Sequence, residues 1–211
     1  MKVVAFNGSP RKHGNTAGSL NTVIAELERE GIETEIIHVG REEIHGCVAC
    51  FTCAKKKNER CAFEDDPVNE WIQKMKAADG IIIGSPVHFS GISGRMKSFL
   101  DRAFFVISVN NGMLRHKVGA AVAAVRRSGG VTTMDSLNHY LLYSEMMIPS
   151  ANYWNVAYGM NPGEMEQDGE GKQIMSVLGK NMAWLMKLME AGKKVVPPPD
   201  QTTKILTNFI R

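Results

Sequence analysis

KVVAFNGSPRKHGNT, residues 2–16, decides the fold. Lys2–Asn7 is a short apolar run that stops at Gly8, and a one-sided helical stripe (Leu20, Val23, Ile24, Leu27) begins just beyond Asn15. A strand, a tight glycine- and hydroxyl-bearing loop and then a helix make an anion site. Backbone N–H groups at the helix start point at the ligand, and the helix dipole favours negative charge. Ser9, Asn15 and Thr16 offer side-chain donors and Arg11 a positive charge. Asn15 stands where a Walker loop needs lysine, and the dinucleotide fingerprint GxGxxG is missing, so the loop suits a terminal phosphate monoester better than a triphosphate.

Outward from this loop the chain alternates apolar runs with amphipathic stretches. Strands are predicted at Lys2–Asn7, Thr34–Val39, Gly80–Gly84, Val118–Val125 and Tyr153–Tyr158. Helices are predicted over 15–30, from Asp66-Pro67 (stripe Val68, Trp71, Ile72, Met75), over 94–105, 132–147 and 170–191. The pattern is βαβ repeated: a doubly wound, five-stranded parallel sheet of order 2-1-3-4-5 with right-handed crossovers, flavodoxin-like, in one domain over residues 1–191. In such a sheet flavin mononucleotide (FMN) sits at the switch point after the first strand. Two pieces stand outside the pattern. Residues 46–63 form a cysteine-bearing insertion. Residues 192–211 form a C-terminal extension whose Pro197-Pro198-Pro199 bars helix, and its apolar group Ile205, Leu206, Phe209 and Ile210 suggests an arm packed on a second subunit of a homodimer or homotetramer.

The bulk properties exclude some partners. In 211 residues, 25 basic and 22 acidic side chains leave a net charge of +3, too weak for a nucleic-acid face. No apolar stretch is long enough to span a membrane, and no secretory signal is visible, so a cytoplasmic protein is expected. In that reducing setting, clustered cysteines point to metal or redox chemistry.

Two further loops share the carboxyl edge of the predicted sheet: 84–94 after the third strand and 126–130 after the fourth. With them the chain resembles a known family. NGSPRKHGNT, GCVACFTC followed by a fourth cysteine and Asp65-Asp66, and ADGIIIGSPVHFSGISGRMKSFLDR look like the NADPH-dependent FMN reductase branch of flavodoxin-like proteins, and within it the iron–sulfur flavoproteins. The likeness covers residues 1 to about 130. It implies that Ser9, Arg11, Asn15 and Thr16 hold the FMN phosphate. It also implies that Pro86, Val87, His88, Phe89 and Gly91 contact the ribityl chain and flavin ring, and that Ser128, Gly129 and Gly130 form a third contact. Family members often carry tyrosine where His88 stands here.

The resemblance implies an FMN-dependent oxidoreductase that moves electrons from NAD(P)H or a ferredoxin-like donor to an acceptor the sequence does not name. The alternative is an FMN-binding electron carrier with no substrate of its own. No acid–base dyad is required, since the flavin carries the difficult step. Arg126 and Arg127 leave the fourth strand where they could stabilise anionic reduced flavin at the pyrimidine end of the ring, or instead grip the nicotinamide nucleotide's phosphate. Adjacent arginines are more often a solvated pair. Cys47, Cys50, Cys53 and Cys61, the only cysteines, follow C-x2-C-x2-C-x7-C. The readings, in order, are a [4Fe–4S] cluster, free thiols, zinc and a disulfide. Because the segment follows the second strand, it is expected at the flavin's edge of the sheet.

Overall fold

The computed structural model describes residues 1–207, 209 and 210. Its sheet holds β1 (Lys2–Asn7), β2 (Glu33–His38), β3 (Gly80–His88), β5 (Val118–Val125) and β6 (Val156–Tyr158) in the order β2-β1-β3-β5-β6, all parallel. A two-residue strand, β4 (Gly91–Ile92), pairs antiparallel with the end of β3. Counted without that hairpin strand, the order is the expected 2-1-3-4-5. The helices are α1 (Asn15–Arg29), a short α2 (Thr52–Lys56), α3 (Val68–Ala77), α4 (Gly94–Val109), α5 (Gly130–Tyr143) and α6 (Gly169–Gly192).

Strand residues alternate faces, which divides the core in two. Val3, Ala5, Ile82, Ala120 and Val122 pack under α1 and α6 with Leu20, Leu27, Leu178 and Met182. Val4, Phe6, Ile81, Ile83 and Ala121 pack under α3, α4 and α5 with Trp71, Phe99, Leu100 and Leu137. Both faces of the central strands are covered, hence their nearly continuous apolar runs. Gly80 and Gly119 keep those strands within reach of the helices. A Cβ at Gly80 would stand 2.9 Å from Met182 Cε, and one at Gly119 would stand 2.9 Å from Met146 Cε.

The expected elements differ from the observed ones mainly at their ends. β3 continues four residues past Gly84, because Ser85 and Pro86 still pair with β5 and Val87 and His88 turn into the hairpin with β4. α5 stops at Tyr143, where Glu145 takes a left-handed φ of 53° and the chain doubles back along β5. Only Val156–Tyr158 of the last predicted strand pairs, since Tyr153 and Trp154 lie exposed. Beyond α6 the described residues form no regular element. Arg115 donates to the carbonyls of Pro199 and Asp200, while Ile205, Leu206, Phe209 and Ile210 are exposed. No helix among the described residues is long and apolar enough to cross a membrane.

Candidate functional site: three interlocked loops and a thiol pocket

The first loop is held by its own backbone. Asn7 Oδ1 accepts from the Ser9 N–H at 3.0 Å, Ser9 Oγ accepts from the Arg11 N–H at 3.1 Å, and the Gly14 N–H donates to Arg11 O at 3.2 Å. Gly14 caps α1 with no side-chain bond, so the first-turn N–H groups are free for an anion. Ser9 and Thr16 are buried at the loop's base. Arg11 and Asn15 instead tie the loop to the segment after β6: Arg11 Nη1 donates to Met160 O at 3.1 Å, and Asn15 Oδ1 accepts from the Met165 N–H at 3.2 Å.

The second loop is bonded to the first. Ser93 Oγ donates to Gly8 O at 2.8 Å, the Ser93 N–H donates to Ser85 Oγ at 3.0 Å, and the Gly8 N–H donates to Gly84 O at 2.8 Å. Ser85 and Ser93 are both buried. The turn of the β3–β4 hairpin places Phe89 and Ser90 at φ of 50° and 59°, a conformation that strains residues other than glycine. It presents Phe89 fully to solvent with His88 exposed beside it, while Pro86, Val87 and Gly91 are half-buried. The third loop abuts the second. Gly129, at φ 87°, leaves no room for a Cβ, which would stand 2.7 Å from Ser90 Cα. Gly129 also starts α5 with no side-chain cap, and Arg126, Arg127 and Ser128 beside it are exposed. Thus Ser9, Thr16, Pro86–Gly91 and Ser128–Gly130 share one edge, with two uncapped helix starts facing it. That cradle of hydroxyls and uncapped helix N–H groups fits a flavin phosphate.

Residues without a sequence signature brace this edge. The turn after β2 presses on the first loop: a Cβ on Gly40 would lie 2.0 Å from Ser9 O. His38 Nε2 donates to Ser9 O at 2.6 Å, Arg41 Nε to Pro10 O at 3.2 Å, and Arg95 Nη1 to Gly40 O at 2.9 Å. A glycine after a strand and a serine before a helix are too common to have been singled out.

The cysteine segment leaves the same edge but does not stay there. It runs down the flank of α4: Phe51 meets Phe105 edge-on at 5.7 Å, and Lys57 Nζ bonds Val109 O. Cys47, Cys50, Cys53 and Cys61 all line one small cavity closed by Phe51, Phe105, Val106 and Arg102. Arg102 lies eight residues beyond Gly94, so the cavity sits about 12 Å along α4 from the flavin edge. The segment thus emerges at the expected edge, and packing on the apolar side of α4 carries the thiols along that helix. All four are free thiols. Burial pushes the Cys53 thiol up, and the neighbouring Cys61 and Cys50 add to the rise; hydrogen bonding with Thr52 draws exposed Cys50 down. A single tetrahedral ion would draw its sulfurs to about 3.8 Å apart. Among the described residues no group of three or more His, Cys, Asp or Glu side chains is placed to hold one metal ion. A four-iron cube takes one thiolate at each corner and needs its sulfurs spread around a cavity. All four cysteines line this one cavity, and a cluster or a zinc ion would draw on the same four thiolates.

A parallel sheet of this order, with its polar loops at the carboxyl edge, defines a flavodoxin-like protein. The chain belongs to the NADPH-dependent FMN reductase family, whose model matches residues 1–161. It is 38% identical over 198 residues to an iron–sulfur flavoprotein of Methanocaldococcus jannaschii, covering 90% of this chain and 100% of that one. An iron–sulfur flavoprotein of Methanosarcina thermophila is 29% identical over 195 residues, covering 92% and 99%. Among solved structures, RosB with bound 8-demethyl-8-formylriboflavin-5'-phosphate superposes with a TM-score of 0.72 at 17% identity, over 100% of this chain and 92% of that one.

Proposed function

We propose that this chain is an FMN-dependent oxidoreductase that accepts electrons from NAD(P)H or a reduced carrier and delivers them to a second acceptor, with a [4Fe–4S] cluster on Cys47, Cys50, Cys53 and Cys61. The observation that carries the flavin half is the bonding of the first loop to the second through Ser93 and Gly8, beneath two helix starts that no side chain caps. FMN, when bound, supplies hydride and electron transfer. The chain's part is to hold and orient it. N–H groups of α1 and the hydroxyls of Ser9 and Thr16 take the phosphate. The Pro86–Gly91 hairpin and Ser128–Gly130 flank the ring, and exposed His88 and Phe89 leave one side of it open to a reaction partner. The convergence of all four thiols on one cavity supports the cluster.

The test is anaerobic purification followed by flavin, iron and sulfide analysis and by titration with NADH and NADPH. One FMN and four irons per chain are expected, with the flavin bleached by a nicotinamide nucleotide. A preparation that takes up no FMN would sink the reading. Flavin that neither nucleotide reduces, but that a reduced protein carrier does, would strike out NAD(P)H as donor, and failure to pass those electrons to any small-molecule acceptor would leave an electron-carrying flavoprotein instead.

A further inference from the structure

Arg102 has the largest fully buried side chain in the protein, in a helix otherwise patterned as an ordinary amphipathic element. A guanidinium cannot shed its charge, so every one of its five donors needs a destination. Nη1 pairs with the Asp66 carboxylate, itself almost wholly buried, and reaches His45 O at 3.4 Å. Nη2 reaches Phe63 O at 3.4 Å, and the Phe63 ring lies 5.1 Å from the guanidinium carbon. Those contacts already satisfy an ion pair that staples the loop to α4. They leave Nε, whose N–H points at Cys61 Sγ at 3.3 Å. Arg102 also lines the cavity that all four cysteines line.

We propose that Arg102 is a positioning residue for the thiol cavity. It fixes Cys61 by an Nε–H···S hydrogen bond, and it sets the reduction potential of a cluster held there by placing a buried N–H donor and positive charge against one of its sulfurs. The proposal rests on the cluster reading given above. Of the other three, Cys47 and Cys50 are exposed in a loop with Ala49 and Phe51 at left-handed φ, and Cys53 is buried in the short helix α2 that follows it. Cys61 is different. Its backbone N–H and carbonyl are both bound by the buried Asn69 side chain, at 2.7 and 3.1 Å, and its sulfur is bound by Arg102. The fourth cysteine is thus pre-set by α3 and α4, and the loop closes onto it. Hydrogen bonds to sulfur and local charge are the protein's means of tuning such a centre. A donor and cation beside the sulfur weigh against the oxidised, less negative form being favoured, so they raise the potential.

Two variants separate this role from a simple staple. Arg102→Lys keeps a cation for Asp66 but has no Nε–H to give. R102Q/D66N removes the opposite charges together, so neither is left buried alone. Both are compared with wild type in full-length protein prepared without oxygen, by iron and sulfide content, FMN content and redox titration of the cluster's visible absorbance. Each variant should keep FMN. If it keeps the cluster, its reduction equilibrium should shift about tenfold towards the oxidised form, the weight of one hydrogen bond to a charged group, which is 59 mV for one electron. Loss of iron with FMN retained also supports the positioning role. Variants with four irons and an unshifted potential overturn it. Variants that lose FMN, iron and cooperative melting in step overturn it too, in favour of a staple for the fold. Wild-type protein that binds FMN but holds no iron fails at the cluster reading itself, and Arg102 falls with it.

Discussion

Gly40→Ala places a methyl group where the first loop already is. Its Cβ would stand 2.0 Å from Ser9 O, 2.2 Å from Ser9 C and 2.8 Å from Gly8 O. Ordinary contact distances begin near 3.2 Å for oxygen, so something must yield by about 1.2 Å. The turn cannot retreat freely, because Arg95 holds the Gly40 carbonyl, His38 holds Ser9 O and Val39 is fixed in the core. The Ser9–Arg11 side of the first loop is the softer party, since the side chains of Asn7 and Ser9 hold its N–H groups only through short-range bonds. Displacing it should misalign one or two N–H donors at the phosphate. Hydrogen bonds to a charged group contribute about 1.5–3 kcal/mol each, so FMN affinity should fall roughly 10- to 150-fold or more. The fold itself should lose only about 1–3 kcal/mol, the usual cost of overpacking. Quenching of FMN fluorescence by flavin-free protein measures the first quantity, and a urea melt without flavin measures the second. A Gly40→Ala protein that binds FMN within twofold of wild type would refute the claim that this turn shapes the loop. A protein whose FMN affinity falls only as far as its folded fraction does would also refute it, since the effect would then be global.

Two further perturbations probe other parts of the molecule. Asn69→Ala removes the buried amide that binds Cys61 N and O and Phe63 O. It should free residues 59–64 by about 2–3 kcal/mol, visible as faster amide exchange there while the amides of β1, β3 and β5 keep their protection; uniform acceleration would contradict this. Tyr140 is pushed up to about 12, first by burial and then by its bond to Asp101, against the opposing pull of Lys97. The folded state therefore keeps the phenol proton between about pH 10 and 12 while the unfolded chain sheds it, so stability falls with rising pH across that window. Two units correspond to about 2.7 kcal/mol, and partial exposure reduces this to roughly 1–1.5 kcal/mol. Tyrosinate absorbance of wild type minus Tyr140→Phe, and melts at pH 9 and 11, check it; a Tyr140 that ionises near 10 with the other tyrosines would sink it.

The sheet was legible because its signals are redundant. Most buried strands are apolar runs closed by glycine or a turn residue, and the helices carry 3.6-period stripes, so the alternation, with its short connections, suggested the flavodoxin-like order. The boundaries were less legible where pairing overrides local chemistry. Ser85-Pro86 looks like a break, yet it pairs with β5 on one side while its missing N–H is not needed. The hairpin turn at Phe89-Ser90 could not be read at all. Left-handed turn positions are normally announced by Asn or Gly, and here a phenylalanine and a serine occupy them, held by Ser90's contact with Gly129. The loops themselves were recognised by motif; the residues bracing them were not. Ser93, Gly40 and His38 act across more than 25 residues of chain, which no local pattern encodes. Arg102 had a weak signal: a charge three residues after Phe99 and four before Val106, on a face that otherwise reads as core.

The placement of these parts along α4 links the loop edge to the thiol cavity. Ser93, at its start, bonds the phosphate loop; Arg95, one residue into the helix, holds the turn beneath that loop; Arg102 lines the thiol cavity two turns on; and Asn110, at its end, accepts from the Glu59 N–H and so ties down the far side of the cysteine segment. The cysteine segment contributes little to the sheet's core beyond buried Cys53, since it lies outside the helical layer. Disordering the cysteine loop therefore removes no strand of the sheet, no helix start at the flavin edge and none of the bonds joining Ser93, Gly8 and Gly84. Disturbing α4 itself has no such asymmetry: a shift of this one helix moves the floor of the flavin edge and the wall of the cavity together. The flavin site is thus independent of the cysteines but not of the helix that carries them, and substitutions along α4, rather than in the loop, are the ones in which the two sites should respond jointly.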